Sequence, residues 1–121
     1  MDGEITPEEV ERLLADGADV RVVDIRSPGA YDRGHVPGSE NVPFDELPDR
    51  VASLTGSDRI VTVCPHGKAS VQAARLIASF EGTTDARVES MAGGLTAWDG
   101  DLETAGDDAE AEADEGPQSP F

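Results

Sequence analysis

The stretch that decides the fold covers residues 59–80 and reads RIVTVCPHGKASVQAARLIASF. It begins with a β-branched run at residues 60–63, which predicts a short buried strand. It ends with residues 71–80, where apolar side chains recur at helical spacing and predict an amphipathic helix. The seven residues between them, 64–70, therefore form a strand-to-helix loop. Cys64, the only cysteine of the chain, opens this loop.

A loop of this kind favours a negative charge. The first N–H groups of a helix have no partner within the helix, and the helix dipole is positive at that end. A thiolate at Cys64 would be stabilised there, with its pKa below the usual value of about 8.5. Gly67 permits a tight turn, Lys68 adds positive charge, and Ser70 is predicted to be the N-cap of the helix. The pattern predicts an activated thiol.

Two of these side chains have alternative interpretations. A lone cysteine at the end of a strand is often a small buried apolar residue, because reactivity needs exposure as well as a positive field. His66 either tunes the thiol or is simply solvated. The other histidine, His35, is far away in sequence and is expected to be a hydrogen-bonded structural residue. One cysteine and two histidines give no recognisable zinc spacing, so no metal is expected.

The charge of the chain excludes several classes of partner. There are 26 acidic residues against 9 basic ones, a net charge of -17, and Lys68 is the only lysine. Nucleic-acid binding requires a basic surface over the phosphates, and anionic membranes attract basic segments, so neither partner is expected. Acidity spread over the whole chain, with arginine preferred to lysine, resembles the composition of proteins from halophiles, where high salt screens self-repulsion.

Length and patterning indicate one cytoplasmic domain. A chain of 121 residues holds a single core. No apolar run approaches 18 residues, and the N-terminus lacks the features of a signal peptide. A single cysteine cannot form an internal disulfide. Residues 101–121 contain eight acids, no lysine or arginine, and little to bury, so they are predicted to be an acidic disordered tail after a domain at residues 1–100.

The remaining segments alternate between strand and helix. A helix should begin after Thr6, with Pro7 at its first position, and end at Gly17. A short helix should follow Ser27. Strands are predicted at residues 21–25, 41–42 and 86–91, and a further helix at 44–54. This alternation predicts an α/β domain with a mostly parallel sheet.

Asp24 and Arg26 stand near the end of one predicted strand. In α/β sheets, polar groups at the carboxyl ends of strands gather around the ligand crevice, so both residues are candidates for supporting roles at the site. The alternative is a structural ion pair or a hydrogen-bonded turn.

At this point the sequence closely resembles the single-domain rhodaneses. Three segments carry the resemblance, in the expected order: DIR, YDRGHVPG and NVP at residues 24–26, 31–38 and 41–43; CPHGKAS at 64–70; and GGLTAW at 93–98. The resemblance implies a five-stranded, mostly parallel sheet with helices on both faces.

The resemblance also implies an activity. It implies a sulfurtransferase in which Cys64 takes sulfane sulfur from a donor such as thiosulfate, becomes a persulfide, and passes the sulfur to a thiol or to cyanide. A protein acceptor is possible, no cofactor is needed, and the protein would be a monomer or a homodimer. The rest of the loop would bind the substrate: Pro65, His66, Gly67, Lys68, Ala69 and Ser70.

The chain departs from the family pattern at two places, and two alternative functions have to be compared with sulfur transfer. Family loops often carry Arg or Thr where this chain has Ala69. Family members also often have Glu before the tyrosine of the first motif, where this chain has Ala30. Related phosphatases place an arginine six positions after the cysteine to bind phosphate with a bidentate fork. Here that position is Ser70, which argues against phosphatase or arsenate reductase activity. The other alternative is a non-enzymatic docking or regulatory module, or a carrier dedicated to one protein partner.

Overall fold

The computed structural model describes residues 1–104 and places five strands in one sheet. The order across the sheet is β1-β5-β4-β2-β3, and all four strand pairings are parallel. The strands are β1 (Glu4–Ile5), β2 (Arg21–Asp24), β3 (Glu40–Asn41), β4 (Arg59–Val63) and β5 (Arg87–Met91). The expected five-stranded α/β sheet is confirmed.

The helices fill the connections between the strands, as crossovers between parallel strands require. They are α1 (Pro7–Ala15), α2 (Pro28–Arg33), α3 (Leu47–Arg50) and α4 (Ala69–Ala78). Single 3-10 turns lie at Phe44–Glu46, Val51–Leu54, Glu81–Thr83 and Gly94–Ala97. In these residues no helix is long and apolar enough to cross a membrane.

Side chains alternate across the sheet and form two apolar cores. Val61 and Val63 of β4 pack on the face covered by α1, together with Val10 and the half-buried Trp98. Ile60 and Cys64 lie on the opposite face, which α3 and α4 cover. Helices on both faces are thereby confirmed, and Cys64 lies on the α4 face.

Both ends of the N-terminal helix follow the sequence signals. Thr6 is the N-cap of α1 and accepts the N–H of Glu9, while Pro7 occupies the first turn. The helix ends at Ala15, and Gly17 follows with a φ of 70°. A left-handed residue just after a helix is the usual place for glycine.

Some predicted boundaries are wrong. The helix predicted at residues 44–54 is broken into Phe44–Glu46, α3 and Val51–Leu54. Pro48 has no N–H, so the bond it would make to the carbonyl of Phe44 cannot form, and the N–H of Leu47 binds that carbonyl instead. β1 was not predicted.

The chain after β5 contacts the body of the domain through residue 103. Glu103 forms an antiparallel bridge with His35, with N–H to O distances of 2.8 and 2.9 Å. Next to it, Leu102 lies against Gly34, where a Cβ would be 3.3 Å from Leu102 Cδ1. The rest of the predicted acidic tail, residues 105–121, lies outside the described residues.

Candidate active site

Cys64 lies at the carboxyl edge of the sheet, immediately after β4. β2 is the neighbouring parallel strand and ends at Asp24, which pairs with Val63 in the register. β5 ends at Met91 on the other side of β4. The three strand ends therefore converge around the loop of residues 64–68, and the N-terminus of α4 closes that loop.

The sulfur of Cys64 is enclosed and hydrogen-bonded. The residue is 2% exposed. The N–H of Gly67 donates to Sγ at 3.0 Å, and Sγ lies 3.3 Å from the hydroxyl oxygen of Ser70. The α4 dipole adds to these contacts because its positive end points to the loop. All of these groups favour a negative charge on the sulfur.

Burial and hydrogen bonding act in opposite directions on the pKa of Cys64. Burial is the largest single influence and raises the pKa, because it penalises the thiolate. The Ser70 hydroxyl and the backbone N–H groups of Ser70, His66 and Gly67 lower it, and their combined effect is larger. The pKa of Cys64 is therefore below its ordinary value, as expected for an activated thiol.

The loop rests directly on the turn that follows β5. Gly67 has a φ of 82°, and a Cβ there would lie 2.7 Å from the nitrogen of Gly93. A Cβ on Gly94 would lie 2.3 Å from the carbonyl oxygen of Cys64. The N–H groups of Leu95 and Thr96 donate to the carbonyls of Cys64 and Pro65 at 3.0 and 3.1 Å. The two turns therefore fix each other's shape.

The other loop residues divide by exposure. Pro65, His66 and Lys68 are exposed, Ala69 is half-buried, and Ser70 is fully buried. Neither His66 nor Lys68 forms a side-chain hydrogen bond or ion pair with another of residues 1–104. Both are therefore free to meet a ligand.

The prediction that Ser70 caps α4 is wrong. Lys68 occupies the N-cap position, no side chain caps the helix, and α4 begins at Ala69. The backbone N–H of Ser70, in the first turn of the helix, bonds the sulfur instead. Ser70 is inside the first turn, and its hydroxyl is directed to Cys64 and to Ser90.

Asp24 and Arg26 bind each other at the same edge of the sheet. The guanidinium donates to the Asp24 carboxylate from Nε at 3.0 Å and from Nη2 at 2.8 Å. Nη2 also donates to the carbonyl of Gly34 at 2.7 Å, and the Asp24 side chain is 1% exposed. This is the structural ion pair of the alternative interpretation, and it ties the loop around Gly34 to the end of β2.

His35 is held as a structural residue, as the sequence predicted. Its Nδ1 lies 2.7 Å from the carbonyl oxygen of Tyr31, and the two rings stack with centroids 3.8 Å apart. Among residues 1–104 no group of three His, Cys, Asp or Glu side chains is arranged to hold a metal ion.

Sequence reasoning missed three features of the site. Ser90, on β5, contacts Ser70 at 2.7 Å between hydroxyl oxygens. Thr62, on β4, donates to the carbonyl of Ser70 at 2.7 Å. Gly94 packs on the loop itself, beyond permitting its own turn. Ser90 and Thr62 were visible as polar residues inside apolar strands, the signal that did identify Asp24.

A family model described as a rhodanese-like domain matches residues 6–101. The chain belongs to the rhodanese-like family. This rhodanese-like chain is 38% identical over 86 residues to a protein of Pseudoalteromonas translucida named thiosulfate sulfurtransferase GlpE, an alignment that covers 71% of this chain and 79% of that protein. It is 34% identical over 99 residues to a protein of Allochromatium vinosum named sulfurtransferase, covering 81% and 89% of the two chains.

Solved structures agree with this assignment. A rhodanese-like domain protein from Staphylococcus aureus superposes with a TM-score of 0.70 at 26% identity, over 86% of this chain and 98% of that one. The resemblance inferred from the three motifs is confirmed, and the chain is a rhodanese-type sulfurtransferase.

Proposed function

We propose that the chain transfers sulfane sulfur through a persulfide on Cys64, with thiosulfate as donor and a thiol or cyanide as acceptor. The observation that carries this proposal is the environment of the sulfur. Cys64 is nearly sealed from solvent, yet its sulfur accepts an N–H at 3.0 Å and faces a hydroxyl at 3.3 Å. A buried structural thiol has no need of these donors, whereas a thiolate nucleophile depends on them.

The first step is a displacement at the outer sulfur of thiosulfate. The Cys64 thiolate attacks that sulfur and forms a new S–S bond. The S–S bond of thiosulfate breaks, and sulfite leaves with the electron pair. The negative charge that was on the outer sulfur remains on the persulfide, so charge is conserved in the step.

The second step returns the enzyme to its starting state. An acceptor thiolate, or cyanide, attacks the outer sulfur of the persulfide. The Cys64–sulfur bond breaks, its electron pair returns to Sγ as thiolate, and the product is a new persulfide or thiocyanate. The N–H groups of His66, Gly67 and Ser70 support both steps, since they favour anionic sulfur in the loop.

The exposed loop residues would meet the substrate. Lys68, exposed at the rim of the loop, favours anionic donors as a point charge without the bidentate fork of arginine. His66 and Pro65 lie exposed beside it. The side chain of Ala69 cannot form a hydrogen bond, so binding of the sulfur donor in this loop depends on backbone N–H groups and on Lys68.

The proposal also includes the location, oligomeric state and partners of the protein. We place the protein in the cytoplasm, as a monomer or homodimer, with a small sulfur donor and a thiol acceptor that can belong to another protein. Neither nucleic acid nor membrane is among the proposed partners, because the net charge of -17 repels both.

Intact mass after incubation with thiosulfate tests the mechanism. The wild-type chain should gain one sulfur atom, and a reductant should remove it. Cys64→Ser should gain nothing while remaining folded. Folded wild-type protein with a free thiol that gains no sulfur from thiosulfate or from an organic persulfide would instead favour a docking module. A gain in Cys64→Ser would place the carrier elsewhere.

A further inference from the structure

Ser90 is a buried hydroxyl next to the active-site loop. It lies on β5, is fully buried, and its Oγ is 2.7 Å from the Oγ of Ser70. Ser70 is equally buried, and its backbone is fixed because the hydroxyl of Thr62 donates to its carbonyl. Ser90, Ser70 and Cys64 thus form a row in which each side chain contacts the next, across distances of 2.7 and 3.3 Å.

When Cys64 is a thiolate, the hydrogen bonds of the row have one preferred donor-to-acceptor direction, from Ser90 through Ser70 to the sulfur. The sulfur then only accepts, so the Ser70 hydroxyl donates to it. Ser70 in turn can accept from Ser90, whose hydroxyl donates to it. Each hydroxyl proton in the row has an acceptor, and the last acceptor is the charged sulfur. Hydrogen bonds to a charged acceptor are the strong ones.

The hydrogen bonds of these three side chains are poorly satisfied when Cys64 is a protonated thiol. If the thiol donates to Ser70, then Ser70 donates to Ser90, and the Ser90 proton has no acceptor among residues 1–104. An unpaired buried hydroxyl is destabilising. If the row keeps its thiolate direction instead, the Ser70 proton points to a neutral thiol sulfur, which is a weak acceptor. Either arrangement disfavours the thiol.

We propose that Ser90 is a positioning residue, whose hydroxyl donates to Ser70 and thereby turns the Ser70 proton toward the sulfur of Cys64. Ser90 does not touch the sulfur and acts only through Ser70. The inference deepens the proposed function, since it rests on Cys64 as the nucleophile. It adds a residue of β5 to the groups that stabilise the sulfur, which otherwise come from the loop and from α4.

The test is the pH dependence of alkylation of the single cysteine by iodoacetamide. Ser90→Ala should raise the apparent pKa of Cys64 by about half a unit to one unit, the size expected for a weakened hydrogen bond. At a pH below both values, the alkylation rate should fall about three- to tenfold. Ser90→Thr keeps the hydroxyl and should restore the wild-type profile. Thr83→Val removes a buried hydroxyl that binds the carbonyl of Phe80 away from the loop, and should leave the profile unchanged.

A double variant separates positioning from a merely structural role. Ser70→Ala should raise the apparent pKa at least as much as Ser90→Ala, and Ser70→Ala/Ser90→Ala should match Ser70→Ala alone, because Ser90 acts through Ser70. An unchanged profile in folded Ser90→Ala, or shifts that add in the double variant, would overturn the proposal. If Ser90→Ala does not fold, a wild-type profile in Ser90→Thr together with a raised apparent pKa in Ser90→Val, which has the same shape as Thr but no hydroxyl, would support the proposal. Equal profiles in these two variants would contradict it.

The alkylation profile requires no sulfur transfer. The wild type could therefore fail to take sulfur from a donor while Ser90→Ala still shifts its titration, which would reject the proposed function and keep this inference. Normal persulfide formation with no shift in Ser90→Ala would do the reverse.

Discussion

At the scale of single residues, the site depends on how Cys64 is both buried and ionised. The sulfur of a cysteine that is only 2% exposed would normally be held as a neutral thiol. Here the N–H of Gly67 and the hydroxyl of Ser70 reach the sulfur, and α4 begins beside it. The hydrogen bonds lower the pKa of Cys64 by more than burial raises it, so the folded protein stabilises the thiolate better than water does.

This balance predicts a pH-dependent contribution of Cys64 to folding stability. The folded-state pKa of the thiol is lowered, so the unfolded chain holds its proton more tightly. The contribution is fully present above the unfolded pKa of about 8.5 and is lost as the pH falls through the lower folded value. Urea unfolding from pH 6 to 9.5 should show wild type gaining stability relative to Cys64→Ser across that interval.

Cys64→Ala provides the matched control, because it also lacks a group that ionises in this range. The two variants should differ from each other by a constant amount at every pH. A wild-type curve parallel to both would mean that the folded and unfolded thiols have the same pKa.

At the scale of elements, the site is two turns pressed together. The loop after β4 and the turn after β5 meet at Gly67 and Gly94, where no side chain fits between them. The N–H groups of Leu95 and Thr96 in the second turn donate to the carbonyls of Cys64 and Pro65 in the first turn. The double glycine of the third motif is therefore part of the active site's construction.

Gly94→Ala should disrupt this contact. Its Cβ would lie 2.3 Å from the Cys64 carbonyl oxygen, and Gly94 has a φ of 61°. The loop must move or the turn must distort, so we expect a loss of roughly 3 kcal/mol or more in the free energy of unfolding, with slower alkylation of Cys64. Chemical denaturation and the alkylation rate at pH 7 would measure the two effects.

Gly17→Ala is the matched control for backbone strain. Gly17 has a φ of 70°, but a Cβ added there would have nothing within 4 Å of it. The variant should lose only about 1 kcal/mol in the free energy of unfolding, with no change at Cys64. Equal losses in the two variants would show that the packing of the two turns adds nothing to the strain.

Sequence patterns predicted the elements better than the contacts between them. The strand and helix around Cys64 were readable because β-branched runs and helical spacing are local signals. The contact of Gly67 with Gly94, and that of Ser70 with Ser90, join residues far apart in sequence and depend on β4 and β5 being neighbours. The N-cap prediction for Ser70 was wrong for the same reason, since its hydroxyl has tertiary partners.

At the scale of the whole molecule, charge is distributed unevenly between the body and its C-terminal end. Residues 105–121 carry six acids and no lysine or arginine. Residues 102 and 103, just before them, contact the loop around Gly34 and His35. The domain's contacts therefore extend slightly beyond the boundary that composition suggested at residue 100.

Two truncations should separate these parts of the chain. Ending the chain after Thr104 should leave the melting temperature nearly unchanged, because residues 105–121 offer little apolar surface to bury. Ending the chain after Asp101 also removes Leu102 and the two backbone hydrogen bonds of Glu103. This truncation should lower the melting temperature by about 4 to 8 °C, which corresponds to a loss of roughly 1 kcal/mol in the free energy of unfolding.

Thermal unfolding of both truncations against the full chain would measure this. A large drop from the shorter deletion would show that the acidic segment packs on the domain. Equal melting temperatures in the two truncations would mean that the bridge between His35 and Glu103 contributes nothing.

The backbone bonds between the two turns also give the site a built-in reporter. The amide protons of Leu95 and Thr96 are held by the carbonyls of Cys64 and Pro65. Their exchange with deuterium requires the turns to separate, so their protection factors measure how often the loop opens in the native state. Because neither amide belongs to the loop, this opening can be followed while the cysteine is free, carries sulfur, or is replaced.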